Sequence, residues 1–120
     1  MELIGRNDEL LNIHPRLMPI LDGELQRLNI YHQDYVLYVE LDIKMRHKKG
    51  EKCRIRFIGV SEYSFYYHNT SLGYNIERYK LLKAGDSFYI SLDPYDEDLN
   101  VDERDQDFIL SSGIEGYFIA

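Results

Sequence analysis

The sequence lacks most of the features that announce a function. Cysteine occurs once, at Cys53, so no intramolecular disulfide can form, which is compatible with a reducing compartment. No apolar run approaches the roughly 20 residues that span a bilayer. The first nine residues, Met1-Glu2-Leu3-Ile4-Gly5-Arg6-Asn7-Asp8-Glu9, contain no basic stretch leading into an apolar one, so they do not read as a secretory signal. The expectation is a cytoplasmic protein. His14, His32, His47 and His68 are scattered, without the spacing of a metal site. Ser111-Ser112-Gly113 lacks the flanking glycine of a nucleophile elbow, and no glycine-rich phosphate loop occurs. These absences predict a protein that is not an enzyme and carries no metal or cofactor.

What is present is charge, sharply segregated. The chain of 120 residues has a net charge of −7. Between residues 93 and 107 stand eight acids: Asp93, Asp96, Glu97, Asp98, Asp102, Glu103, Asp105 and Asp107. Only Arg104 opposes them, so this segment equals the whole net charge and the remainder is neutral. A basic counterpart lies at 44–56, where Lys44, Arg46, Lys48, Lys49, Lys52, Arg54 and Arg56 face Glu51 alone. The net negative charge repels nucleic acid, so the expectation is that the chain's own acidic segment, or that of a second copy, neutralises the basic stretch.

Tyrosine is abundant, with 11 residues, and tilts the composition toward strands. Between 35 and 46 the odd positions Tyr35, Leu37, Val39, Leu41, Ile43 and Met45 are apolar, and Glu40, Asp42, Lys44 and Arg46 occupy even ones. That is the period-2 pattern of a strand with one buried face. Residues 52–60 alternate likewise, with Cys53, Ile55 and Phe57 on the apolar side, where a thiol is inert rather than nucleophilic. The two form a hairpin; if Asp42 stands opposite Arg56, then Lys44 faces Arg54 and Arg46 faces Lys52, two like-charged pairs. Other expected strands are 24–31, preceding a turn at His32-Gln33-Asp34, a short one through Tyr63, Phe65 and Tyr67, then Phe88, Ile90 and Leu92, then 108–110 and 117–119 around Gly113. Residues 69–75 read as a polar loop, and 76–83 fit either a helix or a strand. Asn7 or Asp8 caps a short helix through Ile13, ended by His14-Pro15. The fold class is mainly β: one domain, an antiparallel meander of six or seven strands curled into a barrel or sandwich, with a short N-terminal helix or loop.

Asp96, Asp98, Asn100, Asp102 and Asp107 stand at positions 1, 3, 5, 7 and 12 of a calcium-loop register. Val101 replaces the glycine at position 6, Asp107 is shorter than the usual glutamate, and a strand precedes the loop. The acidic segment therefore reads first as a surface for a basic protein partner. Tyr66 and Tyr95 are weaker candidates as aromatic anchors.

The stretch Leu21-Asp22-Gly23-Glu24-Leu25-Gln26-Arg27-Leu28-Asn29-Ile30, followed by the long alternating strand and Ile55-Arg56-Phe57-Ile58-Gly59-Val60, resembles the small bacterial immunity proteins of polymorphic toxin systems. It covers about residues 20–60. The resemblance implies a non-catalytic, bacterial, protein-binding module that blocks a cognate toxin. The acidic lobe suits a basic toxin, as a decoy for phosphate. The expected molecule is a monomer or homodimer with a protein partner and no membrane or nucleic-acid ligand. A small-ligand or calcium-binding β domain, or an oligomerising structural protein, are the alternatives.

Overall fold

The computed structural model describes residues 1–66 and 73–120. Tyr67, His68 and most of the expected loop at 69–75 lie outside the described residues. Seven strands form one antiparallel sheet: β1 (Glu2–Arg6), β2 (Glu24–Gln33), β3 (Val36–Met45), β4 (Glu51–Ser64), β5 (Lys80–Ala84), β6 (Ser87–Asp93) and β7 (Gln106–Ile119). Their spatial order is β2-β3-β4-β7-β6-β5. Two three-stranded meanders, β2-β3-β4 and β5-β6-β7, thus join along β4 and β7. The second edge of β7 is shared: β6 pairs with its first half, from Asp93 opposite Gln106 to Phe88 opposite Ser111, and β1 with its second, from Arg6 opposite Glu115 to Glu2 opposite Phe118.

The sheet curls without closing into a barrel. An antiparallel bridge between Glu24 and Asn75 brings the chain before β5 against the start of β2. The backbone N–H groups of Leu25 and Ile76 donate to Tyr74 O and Gly23 O, both at 2.8 Å. The alternation read from the sequence fixes the inner face. Val39, Leu41, Ile43 and Met45 from β3 meet Cys53, Ile55 and Phe57 from β4, with Phe88, Ile90 and Leu92 from β6 and Ile109 and Ile114 from β7. The N-terminal arm closes this core with Leu10, Met18 and Ile20.

That arm contains one short helix, α1 (Asp8–Leu11), which stops two residues before the expected Ile13. Asn7 precedes it but makes no side-chain cap. Its Oδ1 instead accepts from the Ile114 N–H at 2.9 Å, tying the arm to β7. Gly116 admits the arm, since a Cβ there would meet Leu10 Cδ1 at 2.7 Å.

Several expected elements are redrawn. The stretch through Tyr63 is the far half of β4, and 108–110 and 117–119 belong to one strand, β7. Both strands run 14 residues and pair along most of their length, with a register shift between Val60 and Glu62. Gly59 takes a left-handed φ of 68°, and a Cβ there would lie 2.3 Å from Ser112 Oγ. Ser112 Oγ donates to Ile58 O at that crossing. The ambiguous segment 76–83 resolves into β5 from Lys80 onward, paired with β6. The turn after β2 falls at Asp34-Tyr35, one residue later than expected, with φ of 52° and 65°. Gln33 pairs with Val36 across it, a two-residue hairpin of the primed kind. Tyr35 is therefore wholly exposed at a tip rather than on the buried face.

Candidate functional site

The register of β3 and β4 differs by two residues from the sequence expectation and removes most of its repulsion. Asp42 faces Arg54 and Glu40 faces Arg56; Lys44 facing Lys52 is the remaining like-charged pair. Arg54 holds Asp42 through two hydrogen bonds, Nε to Oδ1 at 2.7 Å and Nη2 to Oδ2 at 3.0 Å. Arg56 Nε donates to Glu40 Oε2 at 2.7 Å, and its Nη1 lies 3.7 Å from Glu115 Oε1. Glu115 is held in turn by Arg6 Nε at 2.8 Å. One row across five strands thus reads Asn29, Glu40, Arg56, Glu115, Arg6. Arg54 and Arg56 of the basic hairpin are thus neutralised by carboxylates within the sheet. Among the described residues no hydrogen bond or ion pair joins it to the acidic segment.

The acidic segment, residues 94–105, connects β6 to β7 and folds back over the outer face of β5 and β6. Cross-strand pairing places Lys80 opposite Ser91 and Leu82 opposite Tyr89, so Lys80 and Tyr89 share this face. Lys80 is only 2% exposed, yet it points away from the apolar core and into the loop. Its ammonium has three donors, and the loop meets them with Asp96 Oδ1 at 2.8 Å, Asn100 O at 2.9 Å and the Asp105 carboxylate at 3.0 and 3.2 Å. Asp105 also accepts from Tyr89 OH at 2.7 Å and from the N–H groups of Tyr95 at 2.8 Å and Asp102 at 3.0 Å. Burial opposes ionisation of Asp105, but these donors outweigh it and hold its pKa below the ordinary range. Burial likewise opposes the charge on Lys80, and the hydrogen bonds it donates to Asp96 and Asp105 overcome it, so its pKa is raised.

The eight acids therefore divide. Asp96, Asp102, Asp105 and Asp107 serve the loop itself. Asp102 is clamped by Arg104, with Nε and Nη2 both at 2.9 Å. Asp107 is buried and accepts from the Tyr66 N–H at 2.8 Å and from Tyr74 OH. Asp93, Glu97, Asp98 and Glu103 are exposed. The calcium register comes apart for the same reason: Asp96 turns to an ammonium and Asp107 to two tyrosines. Among the described residues no group of three His, Cys, Asp or Glu side chains is arranged around a common cation position.

Sequence reasoning missed what lies between the exposed acids. Leu99 is 79% exposed and Val101 49%, both at the crest of the loop. Tyr95, in the same loop, is 52% exposed and lies beneath the Arg104 guanidinium, whose centre sits 3.5 Å from the ring. Tyr66 is exposed, as expected, and its backbone is tied to Asp107. The register puts the Asp34-Tyr35 turn at the same end of the sheet as the start of β7, where this loop joins. Lys80 was equally hidden, because nothing in 76–83 marks a lysine that aims at carboxylates some 20 residues on.

The remaining candidates are spent structurally. Cys53 is buried, and burial pushes its thiol up to about 12, so little thiolate forms at neutral pH. His47 Nε2 lies 2.9 Å from Asp22 Oδ2, and His14 Nδ1 accepts from the Arg16 N–H. Among the described residues no helix is long and apolar enough to cross a membrane. Comparisons with protein-family models, with curated proteins and with solved structures found no match to this chain.

Proposed function

We propose that this chain is a non-catalytic protein-recognition module that docks a basic partner on the crest of loop 94–105, as an immunity protein does on its toxin. The observation that carries the reading is the internal clamp on Lys80. It fixes the loop before any partner arrives, so little ordering entropy remains to oppose binding. The crest then offers Leu99, Val101 and Tyr95 as an apolar centre. Asp93, Glu97, Asp98 and Glu103 are further exposed acids of the same segment. An apolar centre with a charged rim is the usual anatomy of a specific interface. The exposed carboxylates would speed encounter with a cationic active site and compete there with phosphate.

The product of the gene adjacent to this chain's own is the partner to test, by calorimetry and by association kinetics. Leu99→Ala should weaken the complex by about 1–3 kcal/mol, mainly through faster dissociation. Asp98→Lys and Glu103→Lys should each slow association about tenfold, an effect that shrinks at high salt. Asp102 is the wrong acid to reverse, because its link to Arg104 shapes the loop. No binding to that product, or binding indifferent to all three changes, would sink the reading.

A further inference from the structure

We propose that the tip of the β3–β4 hairpin is a binding site for a small phosphorylated molecule that also carries a hydroxyl or amino group. A cavity of about 360 Å³ opens there, lined by Glu24, Lys44, Arg46, Lys49 and Gly50. That volume lies at the lower end of the range of small-molecule sites.

The cations of the hairpin fall into two sets. Arg54 and Arg56 are held by Asp42, Glu40 and Glu115, and Lys48 turns away to Leu17 O at 2.9 Å and the Phe118 ring at 4.1 Å. Lys44 and Lys49, on the cavity wall, make no hydrogen bond or ion pair among the described residues. Arg46 is pinned by one contact, Nη2 to Asn75 Oδ1 at 3.2 Å, which uses one of its five donors. Lys44 faces Lys52 on one side of the ladder and Glu24 on the other, so one carboxylate stands against the cations of the cavity wall. An anion in the cavity supplies the missing charge.

The backbone favours the same occupant. Lys49 and Gly50 take successive left-handed φ values of 53° and 73°, which turn the chain around the cavity. A Cβ on Gly50 would press on Lys44 Cε at 3.2 Å, so glycine leaves the lysine stem room beside the turn. Three cations against Glu24 leave a local charge of +2, which matches a phosphomonoester dianion near neutral pH. Glu24 accepts hydrogen bonds and cannot serve the phosphate, so it selects a ligand with a donor near the phosphoryl group. A polyanion is disfavoured by the net charge of −7, whereas a single phosphate inside the cavity feels chiefly these nearby charges.

Titrating the full chain with glucose 6-phosphate, glucose, inorganic phosphate and a short single-stranded oligonucleotide, followed by amide NMR shifts, tests the idea. The sugar phosphate should bind more tightly than inorganic phosphate and glucose should not bind, with shifts confined to Glu24 and residues 44–50. Lys44→Gln and Lys49→Gln should each weaken it about ten- to hundredfold. Neither side chain makes a hydrogen bond or ion pair among the described residues, so thermal melts of the variants should stay close to the parent. Glu24→Gln should abolish the preference for the sugar phosphate over inorganic phosphate. Binding no tighter than that of inorganic phosphate, indifference to Lys44→Gln and Lys49→Gln, or tighter binding of the oligonucleotide at these residues would each overturn the proposal.

Discussion

Lys80 shows how one side chain can decide the state of a whole segment. Its loss leaves Asp105, whose carboxylate is completely buried, without the ammonium that balances it. Removing one partner of a buried pair costs about 3–5 kcal/mol, more than a pair contributes when intact, because a charge is stranded away from water. Lys80→Met should therefore destabilise the protein by about that amount in urea unfolding. It should also free residues 94–105, so that trypsin cuts after Arg104 in the variant and not in the parent. An unchanged cleavage pattern would mean the loop is held by something other than Lys80. A second residue-scale test lies at Tyr35. Its side chain packs against nothing, yet its φ of 65° is left-handed and strained. Tyr35→Gly should raise stability by up to about 1 kcal/mol, the relieved strain exceeding the entropy that glycine adds to the unfolded chain.

At the scale of elements, the pairing of β4 with β7 holds the two meanders together. Gly59→Ala adds both left-handed strain and a clash with Ser112 Oγ, and should cost about 2 kcal/mol. Adding Ser112→Ala should recover the clash but not the strain, a non-additivity that a double-mutant cycle measures. The middles of these two strands also mark where the sequence stopped being legible. Period-2 alternation named the buried faces of β3, the first half of β4 and β6 correctly, because burial on one face writes itself every second residue. It broke at Gly59 and at Ser111-Ser112-Gly113, where glycine and serine interrupt the apolar alternation, so each long strand read as two short ones. The register slipped by two between β3 and β4 because either alignment keeps the same apolar face inward; the ion pairs of Asp42 with Arg54 and Glu40 with Arg56 distinguish them, and those appear only in three dimensions. The acidic loop was legible as composition. Its division into buried and exposed carboxylates was not, since Asp105 and Asp98 are chemically identical until Lys80 and Tyr89 arrive from other strands.

For the molecule as a whole, the ionisable groups set a pH window. Asp102, Asp105 and Glu115 have lowered pKa values, Asp102 through the Arg104 side chain and N–H, Glu115 through Arg6 and Tyr117 against the opposing effect of burial. A lowered folded-state value contributes stability that is complete above the unfolded pKa of about 4 and is lost as pH falls through the folded one. Tyr74 and Tyr89 are pushed well above the ordinary range by burial and by Asp107 and Asp105, and Lys80 is raised as well. Their contribution is complete below about 10 and is lost as pH rises through the raised values. Melting temperature should hold a plateau between about pH 5 and 9 and fall on both sides. Asp105→Asn should flatten the acid limb; an acid limb of unchanged slope would assign it to other carboxylates. Lys80 has one further consequence. A loop that gathers around a dissolved ion exists only while that ion is supplied, and a chelator dismantles it. Here the counterion is tethered to β5, at an effective concentration no chelator can lower. The shape of the crest is thus indifferent to the mineral content of its surroundings and answers only to the integrity of the strand that carries the lysine.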